Sequence, residues 1–336
     1  MPRKDYDELK QNFADFVETW KTKDLSVLDK MIVPNASVRI SSAPNSNDSQ
    51  DKLEGIKQFV MEYPKTDVLQ LAIYNYACRM HQGEAQMAAN VICESLNYVD
   101  GQEEMDAFYY AITCGMHWEK NEGMWMCNEI HMDVYPFYGN LRDYFEKTWY
   151  FGSKLAISGK DGRLPAFVAE YDLPWLRIPE AEDVLTEIEK VKECYAKCFL
   201  AADYSVNDLR CVTRSKHMSS NARKFGLNDG VRNTVNALRY KRLRDRYWAH
   251  PFRFGSIEFN ETKDWAICKV YRVFGWKQRN HEYVWTRKNV GIEHVCMSGY
   301  QEFVKEDGEW KMAGGNSKLG LYELGPYSET YYGDSI

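Results

Sequence analysis

Two stretches of this chain close alike. KNEGMWM at residues 120–126 and KEDGEWKM at 305–312 each run from charged residues through a Gly turn into Trp and a strand. Such a stretch reads as the end of a domain. Written once before the middle of 336 residues and once near the end, it points to two domains of ordinary size.

The preceding residues repeat in the same order. In the first half Leu9, Phe13, Phe16, Val17 and Trp20 recur at helical spacing. KTKDLSVLDKMI follows, then a short strand ASVRIS, a polar loop SAPNSNDSQ and a second short helix KLEGIKQFV. Four β-rich stretches complete the unit, over 68–80, 85–98, 104–118 and from Met124 to about Tyr135. In the second half Leu185, Ile188, Val191, Tyr195, Cys198 and Phe199 form the helical stripe. AADYSVNDLRCV then matches KTKDLSVLDKMI, setting Asp203 against Asp24, and GLNDGVRNTV matches KLEGIKQFV. FNETKDWAICKVYRVFGW stands for the hairpin and strand of MHQGEAQMAANVICESLN, and Trp310 falls on Trp125. Two copies exclude a solenoid and predict a fused pair of domains. The expected boundaries are 1–138 for the first, 139–178 for a packed connector holding SGKDGRLP and AFVAEYDLPWLRIPEAED, and 179–336 for the second with its tail.

The order helix, helix, strand, helix, antiparallel meander, ending on DGEWKM, resembles the nuclear-transport-factor-2-like fold and its SnoaL-like branch. The resemblance covers roughly residues 5–138 and 180–324. The first copy departs from the ending, with Glu122 and Met126 where Asp307 and Lys311 stand. It implies α+β architecture: two cones, each a curved antiparallel sheet wrapped on helices, forming an intramolecular pseudo-dimer through the outer sheet faces. It also implies a pocket inside the cone and an activity without cofactor, a dehydratase, isomerase or cyclase removing a proton next to a carbonyl. The expected substrate is a mostly apolar, ring-containing or polyketide-like small molecule held among aromatics. The same fold also serves non-catalytic ligand-binding or scaffold proteins, and the structural small subunit of ring-hydroxylating dioxygenases. Fold alone does not choose among these.

Alternation along the last strand of the first unit sets Trp125, Cys127, Glu129, His131, Asp133 and Tyr135 on one face, and Met124, Met126, Asn128, Ile130, Met132 and Val134 on the other. With Trp125 inward, Glu129, His131 and Asp133 line the cone, and His131 serves as base oriented by Asp133 or Glu129. The opposite reading makes the Met-Ile-Met-Val face the core and turns the three polar residues outward. A register break undoes the alternation altogether. Tyr109 is the candidate to polarise a carbonyl, and His117, on the neighbouring strand, can join His131. The face matching Trp310 carries Met312, Gly314, Asn316 and Lys318 and no acid–base pair, so His294 is the second unit's candidate. Asp24 and Asp203 are explained as well by helix capping as by catalysis.

Composition excludes several classes. Net charge is −6 with the signs mixed along the chain, so no nucleic-acid partner is expected. No apolar run is long enough for a membrane, and the first residues have no signal-peptide core. The nine cysteines form no CxxC pair and read as reduced, buried thiols of a cytoplasmic protein. Neither a metal nor a cofactor is expected, because HExxH, HxH and a phosphate-loop order are missing. A further homo-oligomer is left open.

Overall fold

The computed structural model describes residues 2–40, 53–63, 65–98, 105–138, 166–167, 169–204, 223–224, 228–229, 245–272, 276–279 and 293–324. The chain divides into two compact units, residues 1–184 and 185–336, so the described connector residues 166–167 and 169–178, and also residues 179–184 that the sequence reading placed in the second domain, belong to the first.

In the first unit three helices, α1 (Pro2–Thr22), α2 (Leu25–Met31) and α3 (Leu53–Glu62), accompany strands β1 (Ile32–Ile40), β2 (Val68–His81), β3 (Glu84–Tyr98), β4 (Met105–Asn121) and β5 (Met124–Tyr138). This is the element order that the sequence resemblance implies. The strands form one sheet in the order β1-β5-β4-β3-β2, with β1 parallel to β5 and every other pair antiparallel. Two short helices follow, α4 (Ala169–Asp172) and α5 (Pro174–Arg177).

Helix α1 forms because its apolar residues return every three or four positions; Leu9, Phe13, Phe16, Val17 and Trp20 are all buried. It stops at Lys23, whose backbone turns left-handed (φ 62°) while its N–H donates to Thr19 O. Asp24 caps α2, accepting from the Ser26 backbone N–H at 3.0 Å. The capping reading of Asp24 accounts for the position, while the side chain of Asp203 lies outside the described residues. The β2–β3 and β4–β5 hairpins close on two-residue turns whose central residues both have positive φ, Gln82-Gly83 and Glu122-Gly123.

Rings fill the space between helices and sheet. Tyr76, Phe13, Phe16, Trp20, Tyr63 and Tyr110 follow one another with centroids 5.6–6.4 Å apart, and Phe59 joins at Trp20. The Tyr63 and Tyr110 hydroxyls are hydrogen-bonded inside this layer.

The second unit has α6 (Glu187–Tyr204), the pairs β6 (Arg223–Lys224) with β7 (Asn228–Asp229), β8 (Asp245–Ala249), β9 (Phe252–Phe259), β10 (Trp265–Arg272), β11 (Trp276–Arg279), β12 (Glu293–Glu306) and β13 (Glu309–Leu324). Its main sheet runs β13-β12-β10-β9, and β11 pairs with β8. The sequence match of GLNDGVRNTV to a helix fails at 228–229, which pair as a strand with 223–224. Tyr195 of α6 packs its ring on Phe199, Phe252, Phe254 and Phe303. GNLRDYFEKTWYF at 139–151 and the tail from 325 lie outside the described residues.

One clasp is built in each unit. Lys120, just before the Glu122-Gly123 turn, pairs with Asp5 of α1 at 2.6 Å and lies over the Trp125 ring. Lys305, just before the Asp307-Gly308 turn, pairs with Glu187 of α6 at 3.0 Å and lies over the Trp310 ring. The ammonium thus joins the first turn of a helix to the hairpin that closes the sheet.

Candidate functional site

The expected alternation along β5 is broken by a bulge. Trp118 pairs with Cys127, yet the next residue back, His117, pairs with Glu129, leaving Asn128 as the extra residue. Cross-strand partners share a face, so Trp125 and Cys127 lie with Ile130, Met132 and Val134. Glu129, His131 and Asp133 lie on the other side with His117, Gly115 and Thr113. Tyr110, bonded to Tyr63 of the helix layer, shares the side of Ile112, Cys114, Met116 and Trp118. The first group therefore faces the helices and the second faces away from them. Trp125 inward with Glu129, His131 and Asp133 beside it is corrected: the inserted residue reverses the strand's faces.

Facing away does not leave these residues in water, because the connector covers them. His131 is only 5% exposed, with Nδ1–H donating to both carboxylate oxygens of Asp172 at 2.9 and 3.0 Å. Its Nε2 lies 3.2 Å from Glu129 Oε1, and Glu129 Oε2 is 2.7 Å from Arg177. Asp133, buried, accepts the Ala166 backbone N–H at 2.7 Å. The carboxylate that meets the Nδ1 of His131 is thus Asp172, while Asp133 holds the connector one row further along the strand.

His117 is buried beside this cluster. Its Nδ1 lies 3.1 Å from Gln86 Oε1, and the Gln86 amide in turn donates to Asp172 O. Burial, with the Arg177 guanidinium adding to it, pushes the imidazole down to about 4, while Glu129 pulls the other way. Glu84 Oε1 stands 3.3 Å from Nε2, but that carboxylate is half in water and screened.

The local sequence explains why the connector sits there. Pro174 opens α5 with its fixed φ, forcing the turn at Leu173 that separates α4 from α5. Asp172 then falls over Gly115, where an added Cβ would lie 2.7 Å from the Asp172 Cβ. Leu173, Trp175 and Ile178 are buried in the same segment. Asp172, Arg177 and Gln86 are missed by sequence reasoning; the available signal is the run of apolar residues and prolines in AFVAEYDLPWLRIPEAED, which marks a packed segment.

The remaining candidates are not brought to this cluster. Trp125 is buried on the helix-facing side under Lys120. Tyr109, Tyr135 and His294 have described backbones in β4, β5 and β12, but their side chains lie outside the described residues, as does that of Lys318. Among the described residues no group of three or more His, Cys, Asp or Glu is placed to hold a metal ion, and no helix is long and apolar enough to cross a membrane.

No family model and no curated protein matches the chain. Solved structures do. A putative scytalone dehydratase from Novosphingobium aromaticivorans is 10% identical with TM-score 0.33, covering 41% of this chain and 89% of its own. A putative dehydratase of the NTF2-like family from Streptomyces avermitilis is 11% identical with TM-score 0.32, covering 40% and 97%. The association domain of C. elegans CaMKII is 11% identical with TM-score 0.31, again covering 40% and 97%. Each is a likeness of fold over about two-fifths of this chain.

Proposed function

We propose that the first unit is a non-catalytic scaffold. The observation that carries this reading is the direction of its polar groups. His131, Glu129 and Asp133 lie on the side of the sheet away from α1–α3, and each is bonded to the connector or to a partner that holds it. The helix-facing side is spent on ring-to-ring packing from Tyr76 to Tyr110. We propose further that the two units are tandem copies, a reading supported by the matching Asp5–Lys120–Trp125 and Glu187–Lys305–Trp310 clasps.

A second reading follows the sequence resemblance: a cofactor-independent dehydratase, isomerase or cyclase that takes a proton next to a carbonyl of an apolar ring compound. One observation favours it. A buried carboxylate on Nδ1 is what fixes a histidine's tautomer with a basic Nε2, and Asp172 stands in that place. On this reading Glu129 withdraws from Nε2 before the substrate arrives.

Exchange of the α-protons of 2-tetralone in D2O, followed by proton NMR, separates the two. The scaffold reading expects wild type and His131→Gln to match heat-denatured protein. Exchange catalysed by wild type and lost in a His131→Gln variant of unchanged circular dichroism overturns it in favour of the enzyme.

A further inference from the structure

We infer that residues 166–167 and 169–178 belong to a strap that lifts from the first unit as one piece, and that Gly115 together with the chain Asp172–His131–Glu129–Arg177 is what seats it. The inference rests on neither functional reading; it follows from how the strap is held.

The floor beneath the strap is made of the smallest side chains. Ala77 pairs with Ala88, Ala88 with Gly115 and Gly115 with His131, which pairs in turn with Arg39, so the row across β2, β3 and β4 up to the histidine carries only Ala, Ala and Gly. A Cβ at Gly115 would meet Asp172 Cβ at 2.7 Å and Oδ1 at 2.8 Å. The backbone of Gly115 is not left-handed, so any residue could adopt it; only the strap demands glycine there.

Beside the buried Phe167, Leu173, Trp175 and Ile178, the strap has polar fastenings in neighbouring rows. Arg177 meets Glu129, Asp172 meets His131, Gln86 donates to Asp172 O, and the Ala166 N–H donates to Asp133. They come from the face of the sheet away from the helices. The ring layer on the other face is a separate set of contacts, so loss of the first set leaves the second in place. Beyond the strap the chain is tied again, by Glu182 N–H to Met80 O and by Arg3 to Val184 O. Those ties anchor the chain at 182–184, beyond the strap. With the strap raised, His131, Glu129 and Asp133 meet solvent together; with it seated, His131 and Asp133 do not.

Hydrogen exchange read by mass spectrometry on the full chain tests this with two unrelated lesions. Gly115→Ala ejects the strap by bulk, and Arg177→Gln cuts a fastening without touching the floor. In each, amides of peptides spanning 166–178 are expected to exchange about 10-fold faster or more, with α1 peptides within about twofold of wild type. Asp24→Ala, which uncaps α2, is expected to leave the strap unchanged. Equal acceleration of α1 and the strap shows that the strap does not move alone and overturns the inference. So does a strap whose exchange responds to neither lesion.

Discussion

At the scale of single residues, His117 shows how burial overrules a nearby carboxylate. A free imidazole titrates near 6.5 and this one is held at about 4, so between those values the unfolded chain binds more protons than the folded one. Its contribution to stability is full above pH 6.5 and falls as pH drops through the window toward 4. Proton NMR of the His117 ring is expected to show no titration from pH 8 down to about 5, and a midpoint near 6.5 would contradict the packing described. Lys23 obeys the same constraint. Its ammonium donates to Val60 O and Tyr63 O at the end of α3, and burial lowers it to about 8. None of these environments is legible from residue type. Histidines at 117 and 131 suggest a cluster, but the partners Gln86 and Asp172 come from positions 31 and 41 residues away.

At the scale of elements, the hairpin ends are what the chain states most openly. KNEGMW and KEDGEW specify two-residue turns because Gly123 (φ 88°) and Gly308 (φ 82°) need left-handed backbone, and nothing lies within 4 Å of a Cβ added at either. Gly123→Ala and Gly308→Ala are therefore expected to cost roughly 1–2 kcal/mol each from backbone strain alone, measured by urea denaturation. A loss far above that means that packing, too, depends on the glycine. The clasp adds a pH limb. Burial works to raise the Glu187 carboxyl, but hydrogen bonds from Trp310, Lys305 and Lys190 prevail and bring it down to about 2. That stability is present above pH 4.5 and lost as pH falls toward 2; Glu187→Gln is expected to flatten this limb of the denaturation profile. Helix α1 rests on plain periodicity, and Trp20→Ala, at a fully buried ring, is expected to cost about 3–5 kcal/mol. Strand β5 is where periodicity misleads, because one bulged residue exchanges its faces.

At the scale of the whole molecule, the cysteines report on both units at once. All seven described thiols are buried. Burial raises Cys93 and Cys268 to about 12 and lifts Cys114 and Cys127 as well; the hydrogen bond to Cys198 leads the rise at Cys194. Iodoacetamide at pH 8 followed by peptide mapping is expected to leave these seven unmodified until denaturant is added. Rapid labelling of any of them in the native state would mean that its layer opens. The amino-acid sequence by itself determined the number of units, the helix and strand order of the first, and its Gln82-Gly83 and Glu122-Gly123 turns, because periodicity and glycine act locally. Tertiary structure alone decided which side of the sheet His131, Glu129 and Asp133 face and what they touch. A one-residue bulge is invisible to alternation, and a covering segment some forty residues away in sequence is brought to the histidine only by the fold.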